Sequence, residues 1–296
     1  MKSGTVAVVG RANAGKSTLV NVLVGEKVAI VSPKPQTTRD RIYGALTTDD
    51  YQIVFEDTPG VYKANTALSA RMQMTTDRAA KDTDLILLVI DGHDGIKDED
   101  VELANKFCKI GVPVIVAFSK IDIMPKEKIP EGLVKLSKID GVSEIIPISA
   151  RKGRNIKELK ELILSYLEEG DYVFDPDAVS DKSVKFMVAE IMREKILLKY
   201  EKEIPHGVAI YVNDFSLRDD GVYNVDLDII CERQNHKAIL IGKQGKALKE
   251  VNTFAREAME KFLDAKVFLT TYVKVKENWR DKPDLLKQFG YDGKDE

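Results

Sequence analysis

The chain has 296 residues, beyond the ~100–200 of a typical single domain, and its 44% apolar content is ample for more than one core. A net charge of only −3 means that nucleic-acid binding, if it occurs, must come from a local patch. Two distant cysteines, Cys108 and Cys231, exclude a disulfide framework and favour a reducing compartment; no apolar run approaches the ~18 residues of a membrane span, and no signal peptide precedes the first strand.

In chain order, the apolar run at 6–9 predicts a strand and residues 16–24 a helix. Between them Gly10, Arg11, Ala12, Asn13, Ala14, Gly15, Lys16 and Ser17 fit the phosphate-loop pattern G-x-x-x-x-G-K-[ST], with Thr18 following. Such a loop turns backbone N–H groups, and the positive end of a helix dipole, toward phosphate oxygens. Lys16 is placed to meet the β- and γ-phosphates as a point charge, and Ser17 to ligate Mg²⁺ through its hydroxyl. A hairpin is expected over 41–47 and 52–57, leading into Asp57, Thr58, Pro59 and Gly60. A carboxylate at that strand end stands where ligands of open α/β sheets bind. Asp57 can hold Mg²⁺ through a water and Gly60 can offer its N–H to a γ-phosphate; the bland alternative is an ordinary Thr-Pro-Gly turn.

A helix over 66–80, a strand over 84–90, a helix over 98–110 and a strand over 112–118 continue the alternation. Ser119, Lys120, Ile121 and Asp122 follow. The Asp122 carboxylate can accept from the N1–H and exocyclic amine of guanine, a donor pair that adenine lacks. A site built on such an acceptor rejects the wrong base by about 10⁴-fold. A helix over 130–138, a strand over 144–148 and a helix over 155–168 complete a mostly parallel sheet wrapped by helices. Ser149 and Ala150 end the last strand, where a backbone N–H can meet the guanine O6. The four segments together predict a pocket for GTP or GDP with Mg²⁺.

Gly, Pro and acids over 168–180 break the pattern and read as a linker. A helix over 181–202 follows, then strands over 207–215 and 223–231, a helix over 234–241, the tetrapeptide Gly242, Lys243, Gln244, Gly245, a helix over 246–263 and a strand over 265–275. A lone Gly-x-x-Gly is also an ordinary helix junction. Charge favours more: Arg233, Lys237, Lys243, Lys246 and Lys249 lie in a stretch without one acid, although the second half as a whole is neutral. That is the stripe a phosphate track requires. Lys274, Lys276 and Arg280, around Tyr272 and Trp279, can extend the groove, while Trp279 reads equally well as a core aromatic. His93, His206 and His236 suggest no metal or triad, although His236 adjoins the stripe.

With these motifs in this order the chain resembles, over essentially its whole length, the Era-type small GTPases of the translation-factor-related class. The fold implied is a P-loop GTPase domain, α/β with a mostly parallel sheet wrapped by helices, followed by a smaller α+β KH domain of type two. The α-β-β-α-α-β order with Gly242 to Gly245 between its last two helices matches that KH domain, whose glycines admit a single-stranded RNA backbone. Domains are expected at 1–170 and 183–296, joined by a linker at 171–182. The resemblance places Gln36, Thr37, Thr38, Arg39, Asp40 and Val61 in switch segments, with Thr38, or else Thr37, completing the magnesium shell. Asn13 corresponds to the residue that in relatives helps bind a potassium ion beside the phosphates; otherwise it is a loop residue chosen for turn tolerance. Val61 stands where Ras-like enzymes carry a water-orienting glutamine, so slow intrinsic hydrolysis is expected. The family's Asn-Lys-x-Asp begins here with Ser119, whose shorter hydroxyl has fewer donors and bears on nucleotide affinity.

The implied function is a GTP-hydrolysing switch that binds small-subunit ribosomal RNA in a single-stranded region near its 3′ end and assists small ribosomal subunit assembly and rRNA maturation. The γ-phosphate is expected to order the segments around Thr38 and Gly60 and so alter how the RNA domain is held. No DNA partner is expected. The implied location is cytoplasmic, with peripheral association at the inner face of the cell membrane. Two other readings are an RNA-binding assembly chaperone whose nucleotide is a slow timer, and a membrane-associated regulatory GTPase, for which a strongly basic amphipathic helix is missing.

Overall fold

The computed structural model describes residues 1–61 and 65–291, so the last five residues of the expected second domain lie outside the described residues. Two compact units form. One comprises Met1–Val31, Thr38–Ala64 and Ser69–Asp181, the other Ser32–Thr37, Asn65–Leu68 and Lys182–Glu296.

The first unit carries β1 (Lys2–Val9), α1 (Lys16–Val24), β2 (Ile42–Thr47), β3 (Tyr51–Asp57), all but the first two residues of α2 (Ala67–Ala79), β4 (Leu85–Asp91), α3 (Asp98–Cys108), β5 (Val114–Ser119), α4 (Lys128–Leu136), β6 (Glu144–Pro147) and α5 (Ile156–Tyr166). The sheet order is β2-β3-β1-β4-β5-β6, with β2 antiparallel to β3 and the remaining pairs parallel. Its central strands are continuous apolar runs because both faces are covered. Val6 and Val8 of β1 pack into a core with α1 and α5, while Ala7 and Val9 pack into a second core with residues of α2, α3 and α4. The C-terminal ends of β1, β3, β4 and β5 therefore share one edge, where their loops meet.

Residues 171–181, part of the expected linker, are not free chain. The Ala45 N–H of β2 donates to the Val179 carbonyl at 2.9 Å. Gln52 is wholly buried; its Oε1 accepts from the N–H groups of Val173 and Phe174, and its Nε2 donates to the Phe174 carbonyl, all at 2.9 Å. One buried amide thus satisfies backbone groups of a polar segment that has no ladder of its own.

The second unit contains α6 (Val184–Lys199), β7 (Ala209–Leu217), β8 (Tyr223–Cys231), α7 (Gln234–Ile241), α8 (Lys246–Leu263), β9 (Val267–Val275) and α9 (Pro283–Gln288). The sheet runs β7-β8-β9, antiparallel then parallel. Ile191 of α6, Leu240 of α7 and Val251 of α8 bury the face of Val225, Leu227 and Ile229. Ser183 caps α6 by accepting from the Phe186 N–H at 3.2 Å. Residues 32–37 belong to this unit: Arg193, buried and paired with Glu190, donates to the carbonyls of Gln36 and Thr37, and Lys34 donates to the Tyr200 carbonyl.

Of the two readings open for Trp279, the structure takes the second. Trp279 is a core aromatic, fully buried, donating to the Gly207 carbonyl at 2.9 Å and packed edge-on against Phe289 beyond α9. Lys274 pairs with Asp228 and Arg280 with Glu232, each at 2.6 Å. Lys274 and Arg280 are thus engaged by carboxylates and do not prolong the stripe as free charges. The six-residue α9 is too short for apolar periodicity to announce it.

Candidate functional site

The loop after β1 is shaped by its glycines. Gly10 has φ +145°, and a Cβ there would lie 2.4 Å from the Val89 carbonyl oxygen, so only glycine fits. Asn13 is left-handed at φ +63° and exposed. Lys16, buried at the start of α1, donates to the carbonyls of Gly10 at 3.2 Å and Arg11 at 3.0 Å. Burial pulls its pKa down to about 8, against the attraction of Asp57.

The oxygens of Ser17, Thr38 and Asp57 converge beside this loop. Ser17 Oγ donates to Asp57 Oδ2 at 2.7 Å, Thr38 Oγ1 donates to the same oxygen at 3.1 Å, and the two hydroxyls lie 2.9 Å apart. Burial pushes the Asp57 carboxyl up, while Lys16 and the two hydroxyls pull it back. Asp57 Oδ1 is buried with no hydrogen-bond partner among the described residues. A hard, all-oxygen set with one unsatisfied carboxylate oxygen fits a hard divalent cation. Of the two threonines, Thr38 enters this cluster; the Thr37 hydroxyl turns to the Lys34 carbonyl at 2.6 Å. Beyond β3, Thr58 Oγ1 donates to the Val8 carbonyl at 2.8 Å, and the Pro59 carbonyl accepts from Thr76 Oγ1 at 2.9 Å. A Cβ on Gly60 would lie 2.6 Å from the Ala12 Cα. The Val61 N–H donates to the Gly10 carbonyl at 3.1 Å. Arg39 is buried, and the N–H of Arg41 donates to the Asp40 carboxylate at 2.9 Å.

Ser119 makes the tie that its short side chain puts in question. Its buried hydroxyl donates to the Ala14 carbonyl at 2.8 Å, fastening the loop after β5 to the phosphate loop. Lys120, left-handed at φ +60°, reinforces it by donating to the Asn13 carbonyl at 2.8 Å and pairing with Asp91 at 2.6 Å. Asp122 is half-buried at the mouth of this loop. The N–H of buried Ser149 is taken by the Arg154 carbonyl at 3.2 Å and so is not free for a ligand.

In the second unit Gly242 is at φ +71°, where a Cβ would meet the Ala247 Cβ at 2.6 Å. Gly245, at φ +73°, opens onto free space and caps α8 without a side-chain bond, so the first-turn N–H groups of that helix lack side-chain acceptors. Lys243, Gln244, Lys246 and Lys249 are exposed around this corner, as is Arg233, with Lys237 half-buried. None of the five cations has an ion-pair partner among the described residues. His236 is buried instead of lying on the stripe.

Residues 5–120 match the family model described as 50S ribosome-binding GTPase, and residues 203–280 match the KH domain. GTPase Era of Clostridium kluyveri is 45% identical over 291 residues, covering 98% of this chain and 99% of that protein. GTPase Era of Clostridium botulinum is 44% identical over 290 residues, 98% of each. The chain belongs to the Era GTPase family. Among solved structures, Era in complex with MgGDPNP and nucleotides 1506–1542 of 16S ribosomal RNA superimposes with a TM-score of 0.94 at 39% identity, over 98% of this chain and 99% of that one. An Aquifex aeolicus Era variant bound to GDP and AlF₄⁻ gives 0.94 at 38%, with the same coverage.

In this Era-family chain, sequence reasoning misses Asp91, Asp100 and Asn21. Asp91 carries the signal used for Asp57, a carboxylate closing an apolar strand. Asn21, on α1, accepts from the N–H groups of Val28 and Ala29 and donates to the Ala29 carbonyl, pinning the chain that leads to Thr38. Nothing local marks it in a helix whose residues after Lys16 are otherwise apolar or small.

Proposed function

We propose that this Era-family GTPase binds GTP and GDP with Mg²⁺ where the loops after β1, β3, β5 and β6 meet, and binds small-subunit ribosomal RNA with its KH unit. The observation that carries the nucleotide reading is the convergence of Ser17, Thr38 and Asp57 around a buried, unpartnered carboxylate oxygen beside the phosphate loop. Backbone N–H groups from Gly15 to Thr18 hold the β-phosphate. Lys16 meets the β- and γ-phosphates, whose charge favours the protonated state that burial disfavours. Ser17, Thr38 and, through a water, Asp57 would hold the Mg²⁺, which when bound neutralises charge on the β- and γ-oxygens. The Gly60 N–H senses the γ-phosphate. Val61 has no polar side-chain atom to aim a water, so intrinsic turnover is slow. The exposed Asn13 amide can add an oxygen ligand to a potassium ion beside the phosphates. Asp122 accepts from guanine N1–H and its amine, and the Ala150 N–H meets O6.

The RNA reading rests on the unpaired cations around Gly242 to Gly245, together with the 16S ribosomal RNA held by the similar Era structure. Its target is a single-stranded stretch near the 3′ end of that RNA, and its role is assembly of the small subunit and rRNA maturation. The site of action is the cytoplasm, with peripheral membrane association as the family resemblance implies. No helix among the described residues is long and apolar enough to cross a membrane. Single-turnover hydrolysis by the full chain, with and without a single-stranded 3′ fragment of the RNA, tests the reading. Slow GTP hydrolysis that the fragment accelerates is expected; hydrolysis indifferent to bound RNA favours the timer alternative, and absence of nucleotide binding ends the assignment.

A further inference from the structure

Arg11, the second residue of the phosphate loop, does not point toward the pocket that the loop encloses. Its Nε donates to Asp100 Oδ1 at 2.7 Å, with side-chain exposures of 17% and 1%. The other Asp100 oxygen accepts from the Lys97 N–H at 3.0 Å and so caps the start of α3. One buried carboxylate therefore secures both a helix terminus and the first turn of the phosphate loop. A buried carboxylate that loses its cation is costly, so the pair resists opening.

The backbone that this pair holds is the surface on which the switch residues rest. Gly10 accepts from the Val61 N–H at 3.1 Å, and residues 11 and 61 form a short parallel bridge. Gly60 lies so close to Ala12 that it has no room for a Cβ. The Arg11 carbonyl also accepts from Lys16 at 3.0 Å. Since Val61 brings no polar side chain, the position of the attacking water depends on the backbone of 10–12 and 60–61. An error of about 1 Å in such a platform is worth up to about a hundredfold in rate.

We propose that Arg11 and Asp100 are positioning residues for hydrolysis: their ion pair braces the phosphate loop against α3 and thereby fixes Gly60 and Val61 relative to the γ-phosphate. This rests on the nucleotide reading above. The cradle for the β-phosphate, Gly15 to Thr18, lies beyond the braced turn, so the brace acts on turnover more than on GDP affinity. Arginine suits the task because its planar fork holds direction as well as charge, which a lysine ammonium does not.

The test uses the full chain in potassium buffer. Arg11→Met keeps the apolar stem and removes the fork; Asp100→Asn keeps an oxygen for the Lys97 N–H and removes the charge; Arg11→Lys keeps the charge alone. Measured quantities are kcat and KM for GTP, the Kd of a fluorescent GDP and Tm. We expect kcat to fall about tenfold in Arg11→Met and in Asp100→Asn, with a smaller loss in Arg11→Lys and the GDP Kd within about threefold. The double variant should be no slower than the worse single one, because one interaction is removed once. Unchanged kcat in variants that bind GDP normally overturns the brace, as do additive losses or a GDP affinity that falls as far as kcat. Should Arg11→Met fail to fold, the other two variants decide on the same criteria. A parent chain that binds no GDP overturns the nucleotide reading and the brace with it, an outcome distinct from a parent that binds and variants that do not differ.

Discussion

The nucleotide pocket and the basic corner of the KH unit use charge in opposite ways. Around the pocket, charged side chains are already engaged: Lys16 with two carbonyls, Lys120 with Asp91 and a carbonyl, Asp57 with two hydroxyls, and, behind the loop, Arg11 with Asp100. Along Arg233 to Lys249 no cation has an ion-pair partner among the described residues, and most are exposed. A compact ligand of fixed geometry is best met by groups held in place before it arrives, at the cost of burying them. A flexible polyanion is better met by solvated cations that displace its counterions and tolerate adjustment. Changes in the pocket should therefore act through geometry and selectivity, those in the corner through salt-sensitive increments.

The largest expected effect lies in the pocket. Asp122→Asn exchanges an acceptor for a donor and should convert a preference for GTP over xanthosine triphosphate of about 10⁴-fold into the reverse preference. A competition titration that still favours GTP would remove Asp122 from base recognition. Next comes the corner: Lys243→Asp with Gln244→Asp, both glycines kept, should weaken binding of a labelled single-stranded rRNA fragment at least tenfold. The salt slope should fall by about 0.7 for each phosphate that the protein no longer neutralises, with GTP binding unchanged. Fluorescence anisotropy across a salt series reads both, and an unaltered slope would reduce the Gly242 to Gly245 loop to a helix junction.

Two smaller effects sharpen the contrast. Ser119→Ala strips the Ala14 carbonyl of its donor and should cost about 1 kcal/mol, or about fivefold faster GDP release in stopped flow. Ser119→Asn should release GDP no faster than the parent. Asn13 calls for glycine instead of alanine as the test, because alanine at φ +63° would add backbone strain to the lost amide. Asn13→Gly should abolish a modest advantage of potassium over sodium in hydrolysis; equal rates for the parent in the two salts would leave Asn13 a turn residue.

What the sequence displays, and what it conceals, divides along the range of the interactions. The strands of both sheets and the helices α1, α7 and α8 follow from local apolar runs and periodicity, and Asp57, Ser119 and Asp122 from their places at or beyond strand ends. The Arg11–Asp100 pair spans 89 positions and Gln52 reaches 122 positions to Phe174. Neither pairing leaves a periodic trace, because each depends on a sheet that must form first. By donor count alone Ser119 is a weakened tie. Its hydroxyl nevertheless reaches Ala14, because the loop approaches closely enough for one short donor to suffice. Trp279 is ambiguous in the sequence for a related reason: an aromatic among cations suits a groove or a core equally well until its neighbours are known.

The segment fixed by Gln52 has a bearing on how the GTPase unit can be handled in isolation. β2 is the terminal strand of the sheet, and its outward backbone groups would otherwise be open to pairing with another chain. Val179 accepts from Ala45, the strand and residue 180 form an antiparallel bridge, and Asp181 accepts from the Tyr43 N–H at 2.9 Å. A fragment ending at residue 170 would bare that edge and strip the Gln52 amide of its partners at Val173 and Phe174, inviting intermolecular strand addition. One ending at residue 181 would keep its own guard against aggregation.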